Sequence, residues 1–188
     1  FRWEVSGMPE ETARLFVGIE PDEAARHALS DWAQELSARV SGRYYAPDLY
    51  HVTLCFLGQT ARERISAIVR AMREAYAEPF EARLSEAGTF KGGAVLYAGV
   101  EKSACLAALQ ERLCASLRRE GFSLNEEAEH YVPHITLARH AAGLTEPEKA
   151  PECTFSVRFI TLFESARVDG RLCYTPIARV PGEEANEP

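Results

Sequence analysis

The sequence predicts an α+β protein, with mostly antiparallel sheets and helices covering one side of them. Three observations predict it. Apolar runs of strand length outnumber three helical segments, in the order strand, helix, strand, helix, strands, helix, strands. The helical segments carry one apolar face each, so each needs a sheet to lie on. Gly92-Gly93 and Asp169-Gly170 each separate two such runs, as hairpin turns do.

The elements follow in chain order. Arg14-Leu-Phe-Val-Gly-Ile19 is apolar enough for a central strand. Pro21 and Asp22 open a helix in which Ala25, Leu29, Trp32, Leu36 and Val40 recur at helical spacing, with Gly42 as its stop. Tyr44 to Leu57 has strand character, broken near Pro47. A second helix runs from about Ala61 to Tyr76, with Ile65, Ile68, Val69 and Met72 on one face. Pro79 marks a break before a strand over Phe80–Phe90, a turn at Gly92-Gly93 and a partner strand over Ala94–Val100. Cys105–Arg119 is an amphipathic helix through Leu106, Leu109, Leu113 and Leu117, with Gly121 as its stop. Strands over Pro133–Arg139, Thr154–Phe163 and Cys173–Val180 complete the chain, the last two joined through Asp169-Gly170.

Composition narrows the function classes. With 46% hydrophobic and 26% charged residues, the chain has an ordinary globular balance and can bury a core. No stretch approaches the ~20 apolar residues that span a bilayer, and no signal-peptide pattern opens the chain. Residues 1–11 read as an extension without periodicity, in which Met8 reads as a start residue behind an added segment. Residues 12–181 read as one two-lobed domain and residues 182–188 as a flexible acidic tail. Five cysteines without a CxxC pair predict reduced thiols in a cytoplasmic protein. A formal net charge of −7 argues against coating long nucleic acid, which needs many phosphate contacts. A local grip on one or two terminal nucleotides remains compatible with it.

One long-range echo carries the chemistry. His51-Val-Thr-Leu54 recurs as His134-Ile-Thr-Leu137. In a chain with five histidines, two chance copies have a probability of roughly a few in ten thousand. Alternation along a strand points His51 with Thr53, and His134 with Thr136, while Val52, Leu54, Ile135 and Leu137 face apolar packing. Two such strands side by side bring two imidazoles and two hydroxyls together. Imidazoles near pKa ~6.5 can hold opposite protonation states at neutral pH, one taking a proton from water and the other giving one to a leaving alkoxide. Threonine hydroxyls can donate to non-bridging phosphate oxygens. The set suits hydrolysis of a phosphodiester without a nucleophilic residue or a metal. Two structural histidines at strand starts are the bland alternative. A metal site is another, because Cys55 falls on the His51 side by strand parity, although no carboxylate stands at ligand spacing.

The stretches His51-Val-Thr-Leu-Cys-Phe-Leu-Gly58 and Pro133-His-Ile-Thr-Leu-Ala-Arg139 closely resemble the 2H phosphoesterase superfamily, in particular its RNA 2′,3′-cyclic phosphodiesterase family, also described as 2′-5′ RNA ligases. Arg14-Leu-Phe-Val-Gly-Ile19 and Val95-Leu-Tyr-Ala-Gly-Val100 add to a resemblance that runs from about Ala13 to Val180. It implies a bilobal, pseudo-two-fold fold whose antiparallel sheets line a central cleft with helices outside. It also implies hydrolysis of a 2′,3′-cyclic phosphate to a 2′-phosphomonoester, with weak 2′-5′ ligation as the reverse. By position, His51 resembles the proton donor and His134 the proton acceptor, an order that the two chemically alike motifs do not themselves give. Thr53, Thr136 and Arg139 resemble phosphate-binding residues, and Phe56 a base-stacking one. Strand parity opposes the last two, since five residues after a histidine is the opposite face unless a bulge or strand end intervenes; burial in the core is the other reading of Phe56. Asp48-Leu49-Tyr50 stands where Asn-Leu is common in the family, and Tyr44 where Trp is common. The resemblance implies no cofactor, RNA ends or short oligonucleotides as partners, no membrane, and a monomer. His27, His130 and His140 read as surface residues. A module that binds phosphorylated RNA ends without turnover is the competing function, disfavoured because a binder needs no matched acid and base.

Overall fold

In a computed structural model, residues 11–125, 128 and 130–182 are described. Apart from Glu11 and Gly182, the expected N-terminal extension and acidic tail lie outside the described residues. Ten strands and three helices occur among them. In chain order they are β1 (Thr12–Ile19), α1 (Glu23–Ser37), β2 (Ser41–Tyr44), β3 (Val52–Ala61), α2 (Ile65–Ala75), β4 (Phe80–Phe90), β5 (Val95–Val100), α3 (Ala104–Arg119), β6 (His134–Ala142), β7 (Glu148–Lys149), β8 (Thr154–Val157), β9 (Ile160–Val168) and β10 (Arg171–Val180). No helix among the described residues is long and apolar enough to cross a membrane.

The sheet runs β10-β9-β1-β3-β6-β5-β4-β7, with β2 added to β6 and β8 to β4, and every pairing is antiparallel. Its centre is thin. β3 and β6 meet through the single pair Val52↔Ile135, so the sheet divides into two lobes that touch at one rung. The first lobe holds β10, β9, β1 and β3 beneath α2 and α3; the second holds β6, β5, β4 and the short strands, with α1 against β2 and β8. The α+β, two-lobed expectation is met.

The lobes are interleaved along the chain. β1 belongs to the first lobe, yet the helix that follows it packs on the second. β4 and β5 belong to the second, yet α3 returns to the first. The run Thr154–Phe163, expected as one strand, is two: β8 completes the second lobe on β4, and β9 completes the first on β1. An apolar run does not reveal on which sheet each half finds its partners.

Helix ends follow local chemistry. Asp22 caps α1 through Ala25 N–H at 2.9 Å, and Ser103 caps α3 through Leu106 N–H at 3.2 Å. Gly121, at φ +82, closes α3: its N–H donates to the Arg118 carbonyl while Phe122 N–H reaches back to Leu117. Two boundaries differ from expectation. Helix α1 ends at Ser37, and Gly42 lies in β2, where an added Cβ would meet Ala138, Ala141 and the Arg139 carbonyl at 3.3 Å. That glycine serves the approach of β2 to β6, not a helix stop. Helix α2 starts at Ile65 because β1 holds β3 in register as far as Ala61, and the 3₁₀ turn Arg62–Arg64 follows. The Asp169-Gly170 hairpin forms as expected, with both residues at positive φ between Val168 and Arg171. Leu106, Leu113 and Leu117 of α3 and Ile68 and Met72 of α2 are wholly buried, which seats both helices on the first lobe.

Candidate active site

The two lobes enclose a cleft of about 700 Å³ lined by both motif histidines and both motif threonines. Each histidine stands at the start of its strand and is fixed in the same way. His51 Nδ1 lies 2.8 Å from the Leu49 carbonyl, which the 3₁₀ turn Pro47–Leu49 brings back beneath the ring. His134 Nδ1 lies 2.7 Å from the Val132 carbonyl. A carbonyl only accepts, so each Nδ1 carries the proton and Nε2 is the nitrogen turned away from that carbonyl. His51 Nε2 lies 3.0 Å from Thr53 Oγ1, and the hydroxyl donates to it when the ring is neutral.

Aromatic rings brace both imidazoles. His51 packs against Phe16 at 4.7 Å and edge-on to Tyr174 at 4.9 Å, with Phe163 stacked behind Phe16. His134 meets Phe90 at 4.8 Å and Tyr97 at 5.5 Å, and those two rings stack on each other. The arrangement repeats across the pseudo-two-fold. Leu15-Phe-Val-Gly-Ile19 on β1 and Leu96-Tyr-Ala-Gly-Val100 on β5 are a second duplicated stretch, and each sends an aromatic ring to its own histidine. That repeat was available to locate Phe16 and Tyr97; Phe90, Phe163 and Tyr174 have no such signal. Two glycines make room. A Cβ on Gly18 would meet the Val52 carbonyl oxygen at 2.9 Å and His51 at 3.6 Å; one on Gly88 would collide with the Tyr97 ring.

Burial pushes the His51 imidazole down to about 4, the charge of His134 acts in the same direction, and the Leu49 carbonyl and Glu20 oppose it.

The parity conflict at Phe56 and Arg139 resolves through paired bulges. Val17 faces Cys55 and Gly18 faces Thr53, leaving Leu54 as the extra residue; Leu96 faces Ala138 and Tyr97 faces Thr136, leaving Leu137. Each motif therefore carries a bulge at its leucine, and the face alternation shifts by one beyond it. Leu54 and Cys55 are consecutively buried, as are Leu137 and Ala138, and Phe56 and Arg139 line the cleft. Phe56 is half-buried in the cleft wall, beneath the Arg14 guanidinium at 4.9 Å. The same shift corrects the placement of Cys55 on the His51 side: its thiol meets that of Cys114 on α3. Among the described residues no group of three or more His, Cys, Asp or Glu side chains is gathered to hold a metal ion.

Tyr45 also stands in the cleft, accepting a hydrogen bond from Arg139 Nε at 2.8 Å and bonding to Tyr174. Burial raises the Tyr174 phenol to about 12, against the pull of the nearby Arg139 and Arg14. Among the other histidines, His27, His130 and His140 are exposed, and His130 lies on the cleft wall. The cluster brings together all six residues singled out from the sequence: His51, His134, Thr53, Thr136, Arg139 and Phe56.

Comparison with known proteins agrees with this geometry. The RNA 2′,3′-cyclic phosphodiesterase of Escherichia coli (strain K12) is 29% identical over 90% of this chain and 96% of its own. That of Thermotoga maritima is 32% identical over 67% of this chain and 69% of its own. The crystal structure of Escherichia coli LigT complexed with 3′-AMP superposes with a TM-score of 0.77 at 28% identity, covering 90% of this chain and 96% of that one. TT0787 of Thermus thermophilus superposes with a TM-score of 0.75 at 26% identity, covering 91% and 100%. The family model of the 2′-5′ RNA ligase superfamily matches residues 20–168, and with most of its length matched the chain belongs to that superfamily.

Proposed function

We propose that the protein hydrolyses an RNA-terminal 2′,3′-cyclic phosphate to a 2′-phosphomonoester by two-histidine acid–base catalysis without a metal. The observation that carries this reading is the symmetric pair of imidazoles, each held through Nδ1 by a carbonyl two residues back, both lining one cleft. The names of the relatives, RNA 2′,3′-cyclic phosphodiesterases, support it.

In the reaction, water attacks phosphorus in line with the bond to the 3′ oxygen. His134 takes a proton from the water through Nε2, and His51 gives one to the departing 3′ oxygen. The P–O3′ bond breaks while the 2′ ester remains. Thr53 and Thr136 donate to the non-bridging oxygens, and Arg139 adds fixed positive charge beside them. Phe56, with the Arg14 guanidinium over its ring, lines the wall beside which the base would lie. Proton exchange with solvent resets the two rings. With a 5′ hydroxyl attacking in place of water, the same displacement of the 3′ oxygen joins two ends through a 2′-5′ linkage, an outcome that dilute ends in water disfavour.

A bound phosphate anion opposes the burial that holds His51 neutral, which suits an acid charged only once substrate is present. The depressed His51 pKa also favours the opposite order, with His51 as base. A substrate whose 3′ leaving oxygen is replaced by sulfur separates the two, since a thiolate leaves without a proton. Rescue of His51→Ala but not His134→Ala is expected; the reverse pattern exchanges the roles. The reading as a whole is tested on an RNA ending in a 2′,3′-cyclic phosphate, with chelator present. Turnover to a 2′-phosphate is expected, and tight binding without turnover would make the protein a recognition module instead.

A further inference from the structure

Charge in the cleft is arranged against the character of the whole chain. The protein carries a formal net charge of −7, yet among the described residues no carboxylate lines the cleft. Two guanidiniums do, Arg139 from the second lobe and Arg14 from the first. Elsewhere several arginines pair with glutamates: Arg26 and Arg179 with Glu20, Arg39 with Glu148, Arg62 with Glu164, Arg70 with Glu120 and Arg119 with Glu74. Among the described residues Arg14 has no such partner. Its guanidinium is held 4.9 Å from the Phe56 ring centroid, exposed on the cleft wall. An arginine left to an aromatic face, with no carboxylate beside it among the described residues of the wall, is available for an external anion.

Its position says which anion. Arg14, Phe16 and Gly18 alternate on the cleft side of β1; Gly18 faces Thr53, and Phe16 packs on the His51 ring. Arg14 lies a further step along, roughly 13 Å of strand from Gly18. The guanidinium itself rests over Phe56, the residue opposite Phe16, and the Phe16 ring packs on His51, so an anion at Arg14 is a neighbour of the phosphoryl group held by His51 and Thr53. A terminal nucleotide whose 2′ and 3′ oxygens are closed in a cyclic phosphate continues only through its 5′ oxygen. The second anion is therefore the phosphodiester on its 5′ side.

We propose that Arg14, steadied by Phe56, forms a second anion subsite that holds the 5′ phosphate of the terminal nucleotide, so that chain ends are preferred over free cyclic nucleosides. This rests on the cyclic phosphodiesterase reading for the identity of the nucleotide, but the subsite is testable without turnover. The affinities of adenosine 2′-monophosphate and adenosine 2′,5′-bisphosphate are measured by calorimetry on the full chain, in wild type, Arg14→Gln and Arg14→Lys. The bisphosphate is expected to bind the wild type roughly tenfold more tightly, the gain of one charge-assisted contact. That ratio falls to near one in Arg14→Gln and is partly kept in Arg14→Lys, and both variants melt with the wild type because Arg14 is exposed. Equal affinities in the wild type, no measurable binding of either nucleotide, or a ratio that survives Arg14→Gln would each overturn the subsite. A 5′-phosphate preference in a protein that leaves cyclic phosphate ends intact would retain the subsite and sink the hydrolase reading.

Discussion

At the residue scale, the proposed chemistry depends on how two rings are held. The Leu49 and Val132 carbonyls assign the tautomers, and the aromatic braces set the ring planes. Replacing either His51 or His134 by alanine is expected to lower kcat on a cyclic-phosphate end by roughly 10²–10⁴-fold while far-UV circular dichroism stays unchanged. Thr53→Val and Thr136→Val remove a hydrogen-bond donor but keep the shape; each is expected to lose roughly ten- to a hundredfold in kcat/KM. Burial of His51 also links stability to pH. Its folded-state pKa of about 4 lies below the ordinary 6.5, so the unfolded chain binds the extra proton between those values. Stability is present above pH ~6.5 and is lost as pH falls toward 4, by up to ~3 kcal/mol. Urea midpoints across that range should decline more steeply in the wild type than in His51→Gln, and parallel curves would refute the assignment.

At the element scale, the two bulges decide which side chains line the cleft. Without the extra residue at Leu54 and Leu137, Phe56 and Arg139 would point into the core. The close packing of β1 on β3 is equally demanding. Gly18→Ala puts a methyl group 2.9 Å from the Val52 carbonyl oxygen, and is expected to cost about 1–3 kcal/mol in urea unfolding and at least tenfold in kcat, through displacement of His51. Leu113→Ala on the buried face of α3 should cost roughly 2–5 kcal/mol and, by contrast, leave kcat nearly unchanged. These cases also show what a linear reading can and cannot see. The histidine and threonine positions were legible because a four-residue pattern repeats and strand alternation fixes its faces. The bulges were not, since a leucine at a bulge looks like a leucine in a regular ladder. Tyr45, Phe90 and Tyr174 reach the cleft, and Phe163 the back of Phe16, through pairings between distant strands, which leave no local mark. The end of β3 was misplaced for the same reason: β1, not propensity, extends it to Ala61.

At the scale of the whole molecule, the lobes look like halves of a duplication yet are not consecutive halves of the chain. The first draws β1 and β3 from before Val100 and β9 and β10 from after it; the second takes β2, β4 and β5 from before and β6, β7 and β8 from after. A polypeptide severed between Val100 and Ala104 would thus hand each product one motif histidine and two unfinished sheets. Neither product should fold by itself, while the two made together should reassemble and regain turnover; an autonomously folded piece, seen as a cooperative melt, would contradict the interleaved topology. Each proton-carrying ring is in this way hostage to the other's scaffolding, and loss anywhere along the thread disarms both at once.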